Sequence, residues 1–118
     1  MNALRLAWLG VRTEHYTEMV GFLRSVLGLE LDHEDRDFAA LKLPDGGKVE
    51  VFGPESEFNA HFTTGPVAGF LVQDLHAAVE ELRAAGVEIV QEPCANYWAH
   101  FRGPDGHIYE LTADPDLL

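Results

Sequence analysis

Two glutamates, Glu50 and Glu110, occupy matching places in a repeated stretch of sequence. Leu43-Pro-Asp-Gly-Gly-Lys-Val-Glu50-Val-Phe returns in outline as Gly103-Pro-Asp-Gly-His-Ile-Tyr-Glu110-Leu-Thr. Pro44 and Pro104 are 60 positions apart, and so are Glu50 and Glu110. Turn, strand and carboxylate therefore keep one internal spacing in both halves. Two chemically equivalent carboxylates at equivalent points of a duplicated unit are candidates for acid–base work or for gripping a ligand. Duplicated halves tend to pack about a pseudo-twofold axis, which leaves a cleft between them for such groups.

His100 is the second candidate for chemistry. It follows Trp98 by two residues, and the hairpin spacing sets it opposite Glu110 on the same strand face. An imidazole there can serve as a base, a hydrogen-bond donor or a metal ligand. His15, His33, His76 and His107 fall in helix or turn contexts and read as surface residues. His61 differs, because the segment that carries it could fold across a cavity mouth. Trp98 and Phe52, with Trp8 and Phe70, are candidate aromatic walls for a planar or apolar ligand. Arg102 ends the Trp98 and His100 face and is a candidate for an anionic ligand group or for an ion pair. Lys48 shares a face with Glu50 and is its expected partner.

The elements that must position these side chains can be read from periodicity. Strands are predicted at Leu4–Val11, Leu29–Leu31, Phe38–Leu43, Lys48–Phe52, Val67–Val72, Val87–Val90, Tyr97–Arg102 and His107–Thr112. Tyr16, Met19, Val20, Leu23, Val26 and Leu27 recur at helical steps, with Thr13 as N-cap and Gly28 at the end. Leu75, Ala78, Val79, Leu82 and Ala85 form a second helical face, capped by Asp74 and ended by Gly86. Each half reads βαβββ. Strand alternation groups Lys48, Glu50 and Phe52 against Val49 and Val51, and Ile108, Glu110 and Thr112 against Tyr109 and Leu111. Assigning the apolar faces to the helices turns both glutamates into a central cavity. The fold class is α+β: two paired βαβββ modules in a curved, partly open eight-stranded sheet. One domain, 1–118, comprises module 1–53, linker 54–65 and module 66–113.

A chain of 118 residues with 47% hydrophobic and 24% charged composition buries one core, shared by the two halves. Disorder is expected only in the tail from Asp114. The net charge of −12 repels phosphate backbones and anionic lipid, so neither nucleic acid nor membrane is an expected partner. Neutral or cationic small molecules suit such a surface better. The lone cysteine, Cys94, leaves no internal disulfide and no cysteine metal cluster, which fits a reducing compartment. The apolar run near Met1 is too short for a signal peptide or a membrane span, and a cytoplasmic location is expected.

Together with Phe22-Leu-Arg-Ser-Val-Leu-Gly-Leu and Phe101-Arg-Gly-Pro-Asp-Gly-His-Ile-Tyr-Glu-Leu, these motifs resemble the vicinal oxygen chelate superfamily over essentially the whole chain. That superfamily includes glyoxalase I, extradiol dioxygenases, methylmalonyl-CoA epimerase and the metal-free bleomycin-resistance proteins. The resemblance puts Glu50 and Glu110 at the two last-strand ligand positions, and Leu6 and Val67 where metal-dependent members usually carry histidine. It also makes Trp98 and His100 pocket residues. What it implies is a small-molecule-binding glyoxalase/bleomycin-resistance/dioxygenase-like protein, expected as a homodimer. As an enzyme it would perform proton-transfer, lyase- or isomerase-type chemistry on a small oxygenated substrate. Glu110 would then be the base, His100 would polarise or protonate a substrate oxygen, and Glu50, Trp98, Phe52, Thr112 and Arg102 would bind the ligand. Two alternatives stay open. One is a metal-free protein that sequesters a cationic drug or metabolite. The other is an enzyme with a weakly bound divalent metal ion on Glu50, His100 and Glu110; no other cofactor is expected.

Overall fold

A computed structural model describes residues 1–117. The strands are β1 (Arg5–Arg12), β2 (Glu30–Asp35), β3 (Phe38–Lys42), β4 (Lys48–Phe52), β5 (Val67–Leu71), β6 (Glu88–Cys94), β7 (Trp98–Arg102) and β8 (Ile108–Thr112). Helix α1 (Tyr16–Ser25) follows β1, and α2 (Leu75–Ala84) follows β5. All eight strands belong to one mixed sheet in the order β2-β3-β4-β1-β5-β8-β7-β6. The order is a palindrome of the two halves. Each half places its first strand parallel to its last, and the halves join where β1 meets β5 antiparallel. The modules therefore pair within one chain.

The two Pro-Asp-Gly turns fold almost identically, which is why their hairpins share a register. Gly46 N–H donates to Leu43 O at 3.0 Å and Gly106 N–H to Gly103 O at 2.9 Å. Asp45 and Asp105 each accept from the backbone N–H two residues on, at 2.8 and 3.0 Å. Gly46 and Gly106 adopt φ of +90° and +85°, a left-handed conformation that costs glycine little and other residues more. The turns set Ala40 opposite Glu50 and His100 opposite Glu110.

Alternation then sorts the side chains. Val20 and Leu23 of α1 pack on Ala39, Leu41, Val49 and Val51, while Leu75, Ala78 and Val79 of α2 pack on Ala99 and Leu111. On the opposite face Trp8, Phe52, Phe62, Val67 and Ile108 form a third cluster. The edge strands are blunted. Nearly every residue of β2, Glu-Leu-Asp-His-Glu-Asp, is polar, and β6 carries Pro93.

Several boundaries depart from the periodicity. β2 and β6 continue to Asp35 and Cys94 because pairing with β3 and β7 overrides the weak strand preference of their polar residues. The N-cap of α1 is His15, which makes no side-chain cap; Thr13 Oγ1 instead accepts from His15 N–H at 3.0 Å. Val26 and Leu27, expected on the buried face, are 70% and 58% exposed because the helix has ended at Ser25. The tail is ordered through residue 117. Leu117 is buried with Ala7 and Leu71, its carbonyl accepts from Arg5, and Lys48 pairs with Asp114 and Asp116. Leu118 lies outside the described residues. No described helix is long and apolar enough to cross a membrane.

The caps yield a test. Asp74 Oδ1 accepts from Ala77 N–H at 3.1 Å, so Asp74→Ala should lower stability by about 1 kcal/mol, whereas Thr13→Ala should cost only a few tenths. Urea denaturation midpoints with unchanged m-values would show the difference; equal losses would contradict the cap assignment.

Candidate functional site

Glu110 and Glu50 both look into one cavity of about 720 Å³, a size suited to a small ligand. Glu110 is 4% exposed, His100 behind it is fully buried, and no described lysine or arginine pairs with either. Their hydrogen bond, His100 Nε2 to Glu110 Oε1 at 2.9 Å, follows directly from the cross-strand register. Burial raises the Glu110 carboxyl well above the ordinary value, and the charges of Glu50 and Asp114 raise it further. Burial takes His100 the other way, down to about 3, with His61 adding to the effect. The contact is thus a hydrogen bond in which the imidazole is uncharged, rather than a salt bridge.

The other Glu110 oxygen has no partner. Among the described residues the Tyr16 hydroxyl is the one buried side-chain polar atom lacking a hydrogen bond. Oε2 of Glu110 therefore stays open to the cavity it lines. Gly69, beside Glu110 in the β5–β8 ladder, makes the room: a Cβ there would lie 3.2 Å from Oε2 and 2.9 Å from Trp8 Cβ.

Glu50 sits at the equivalent point of the first half in other surroundings. Opposite it stands Ala40, where the second half has His100. Its donor is the Trp8 indole N–H, at 2.8 Å to Oε1. The indole lies across Gly10, where a Cβ would come within 2.1 Å of the ring. Burial raises the Glu50 carboxyl, the indole bond and Lys48 lower it, and Asp114 raises it, with a net upward shift. Lys48 does not bond Glu50. Its ammonium lies 3.2 Å from Asp114, because the ordered tail brings that carboxylate within reach.

Of the remaining candidates, Trp98, Phe52 and Thr112 line the cavity with Glu50 and Glu110. Trp8 reaches the site as the donor to Glu50 rather than as a wall. Phe70 faces away and packs toward α2, since it alternates with the inward Gly69. Arg102 lies outside the cavity, paired with Glu88 at 3.3 Å and donating to Gly106 O. His100 is screened from the cavity by Glu110, so it can act on a ligand only through that carboxyl. Leu6 is 62% exposed because a register shift between Leu6 and Trp8 turns it outward, and Val67 is buried in the aromatic cluster.

The linker supplies what periodicity could not show. His61 Nε2 lies 2.7 Å from His100 Nδ1, so three titratable side chains run in line from the cavity: Glu110, His100, His61. Arg12 holds the linker down by donating to the carbonyls of Pro54, Ser56 and Phe58. Phe62 plugs in beside Trp8 and Phe52, and Thr64 Oγ1 accepts from Ile108 N–H. Both ring nitrogens of His100 are consumed in this chain. Among the described residues no group of three or more His, Cys, Asp or Glu side chains converges to hold a metal ion, so Glu50, His100 and Glu110 do not fit that role.

The buried pair predicts a pH signature. The native carboxyl of Glu110 keeps its proton above the ordinary value of about 4.5, so its contribution is intact below that pH and is lost as pH rises through the native pKa. Glu110→Gln cannot ionise and should gain on the parent as pH rises, by on the order of 5 °C in Tm near pH 8. His100 acts oppositely, losing stability as pH falls between 6.5 and about 3, in both proteins. A Tm difference that is flat with pH would show that the carboxyl ionises normally.

A family model for the glyoxalase/bleomycin resistance protein/dioxygenase superfamily matches residues 5–111. Among solved structures, methylmalonyl-CoA epimerase from Mycobacterium tuberculosis is 25% identical, with a TM-score of 0.71 over 98% of this chain and 91% of that one. A Streptomyces coelicolor methylmalonyl-CoA epimerase variant bound to 2-nitronate-propionyl-CoA is 18% identical, with a TM-score of 0.68 over 97% and 99%. A superfamily member from Vibrio splendidus 12B01 is 21% identical, with a TM-score of 0.64 over 93% and 98%. A search of curated proteins gave no match. With its paired halves, open eight-stranded sheet and inward glutamates, this chain belongs to the glyoxalase/bleomycin resistance protein/dioxygenase superfamily.

Proposed function

We propose that the protein binds a small oxygenated molecule in the central cavity and moves a proton on it, in lyase- or isomerase-type chemistry, with Glu110 as the exchanging group. One observation carries this reading: Glu110 presents Oε2 to the cavity while His100 holds Oε1 from behind. A carboxyl pushed upward by burial and like charge exchanges protons nearer neutrality than an exposed one, as general acid–base work requires. His100 serves as the positioning residue. Glu50, Trp98, Phe52 and Thr112 bound the ligand.

Charge argues for the ligand class. The lining includes Asp35, Asp37, Glu50, Glu55, Glu57, Glu110 and Asp114, against Arg36 as its one arginine or lysine. A CoA ester such as the one in the S. coelicolor epimerase carries several phosphate charges, which such a wall repels. A neutral or cationic ligand is the better fit. The same acidity supports a second reading, metal-free sequestration of a cationic compound that leaves unchanged.

Deuterium uptake from D₂O by a panel of neutral and cationic carbonyl compounds, followed by NMR, separates the two. For any compound that exchanges, Glu110→Gln should slow uptake by on the order of 10² to 10⁴ while affinity changes only a few-fold. Undiminished exchange in that variant would remove Glu110 from the reaction. Tight binding without any exchange would favour sequestration.

A further inference from the structure

We propose that His61 is the outer station of a proton relay, through which the Glu110 carboxyl trades its proton with solvent by way of His100 without using the cavity. The proposal rests on the reading of Glu110 as the cavity's proton-transfer group. Its geometry is independent of any ligand. The two hydrogen bonds, 2.9 Å from Glu110 Oε1 to His100 Nε2 and 2.7 Å from His100 Nδ1 to His61 Nε2, join opposite nitrogens of each ring. Neither histidine lines the cavity. His61 is only half-buried, and its Nδ1 makes no hydrogen bond yet is not a buried orphan among the described residues, so water reaches it.

The transfer balances with one proton. When Glu110 is ionised, His100 donates from Nε2 to the carboxylate and accepts at Nδ1 from His61 Nε2–H. A proton arriving at His61 Nδ1 releases its Nε2 proton to His100 Nδ1, and His100 releases its own Nε2 proton to Oε1. The result is a neutral carboxylic acid donating to His100 Nε2, with both imidazoles now protonated at Nδ1. The reverse sequence discharges the acid. No imidazolium persists at either end state, which matters because burial disfavours the charged form of both rings. The groups that bias the relay are Glu50 and Asp114 on Glu110 and His61 on His100, while burial alone acts on His61. Phe62 packs edge-on against His61 and His100 with ring centroids 5.2 and 4.8 Å away, and it keeps competing polar partners out.

A passage of this kind has a use in a filled cavity. A ligand seated against Oε2 blocks water from the front, so a second route lets the carboxyl be reset without ligand release. A merely structural His61 would need only one fixed tautomer.

The test uses the intact protein labelled with ¹⁵N-histidine and ¹³C-glutamate, followed by NMR from about pH 4 to about pH 9. As Glu110 Cδ titrates, both imidazoles should switch together, from Nε2–H at high pH to Nδ1–H at low pH. In Glu110→Gln that coupled switch should vanish. In His61→Gln, which keeps a hydrogen-bonding side chain but cannot pass a proton through a ring, exchange of the Glu110 proton should slow at least about tenfold. A His61 tautomer that stays fixed while Glu110 titrates, a switch that survives Glu110→Gln, or unchanged exchange in His61→Gln would each overturn the relay. None of these readouts depends on turnover. An inert panel of substrates would count against the catalytic reading alone, and a fixed tautomer against the relay alone.

Discussion

The arrangement depends on a carboxyl group kept inside the protein without a cation to neutralise it. An ionised carboxylate in a low-dielectric interior is expensive, and proteins usually meet the cost with a paired charge or by shifting the group toward its neutral form. Glu110 takes the second course. Its one partner is an imidazole that burial also keeps uncharged. The pair is consequently joined by a hydrogen bond between uncharged groups rather than locked by opposite charges. Everything nearby serves that pair: the β7–β8 turn fixes its register, Gly69 leaves space for Oε2, and the linker backs His100 with a second imidazole.

Duplication made two such places, and they have diverged. Glu50 and Glu110 hold equivalent ladder positions, yet Ala40 stands where His100 stands in the other half. A methyl group cannot bond a carboxylate, so the first half recruits Trp8 from the neighbouring strand instead. The indole is a donor only and cannot take up or pass on a proton. Glu50 is therefore anchored as a fixed acceptor at the cavity wall, while Glu110 has a partner that can change its protonation. In the proposed reaction the asymmetry gives Glu50 the part of a fixed contact and Glu110 the part of the exchanging group.

Much of this was legible in the sequence, for reasons that differ residue by residue. The 60-residue spacing of Glu50 and Glu110, the Pro-Asp-Gly turns and the two-residue alternation are local signals, and they placed both carboxyls and His100 on one face. The partners of Glu50 and Lys48 were not legible. Trp8 reaches Glu50 through a parallel pairing, and Lys48 is claimed by a tail folding back over 66 residues. Arg102 shares the parity of His100, but its position at the strand end lets it turn to Glu88 and Gly106. Sequence parity fixes which way a side chain leaves the strand, and nothing in it fixes what the far end meets.

The linker is the sharpest case. Residues 53–66 have no periodicity, two prolines and scattered polar groups, which is all a sequence can show of a connection. In the folded chain the same segment is held by Arg12 through three carbonyls, by Asp37 Oδ2 through Glu55 N–H, and by Phe62 in the aromatic cluster. The Arg12 and Asp37 contacts act on backbone atoms and ask little of the residues they hold, while the buried Phe62 ring anchors the residue next to His61. The linker also contributes Glu55, Glu57 and Phe58 to the cavity rim. One irregular segment thus sets the charge of the mouth from its first half and the backing of the buried carboxyl from its second. A rigid sheet with a fastened connection across it can change ligand by altering the rim while leaving the Glu110 and His100 pair untouched, which is how function comes to reside in loops held on a fixed scaffold.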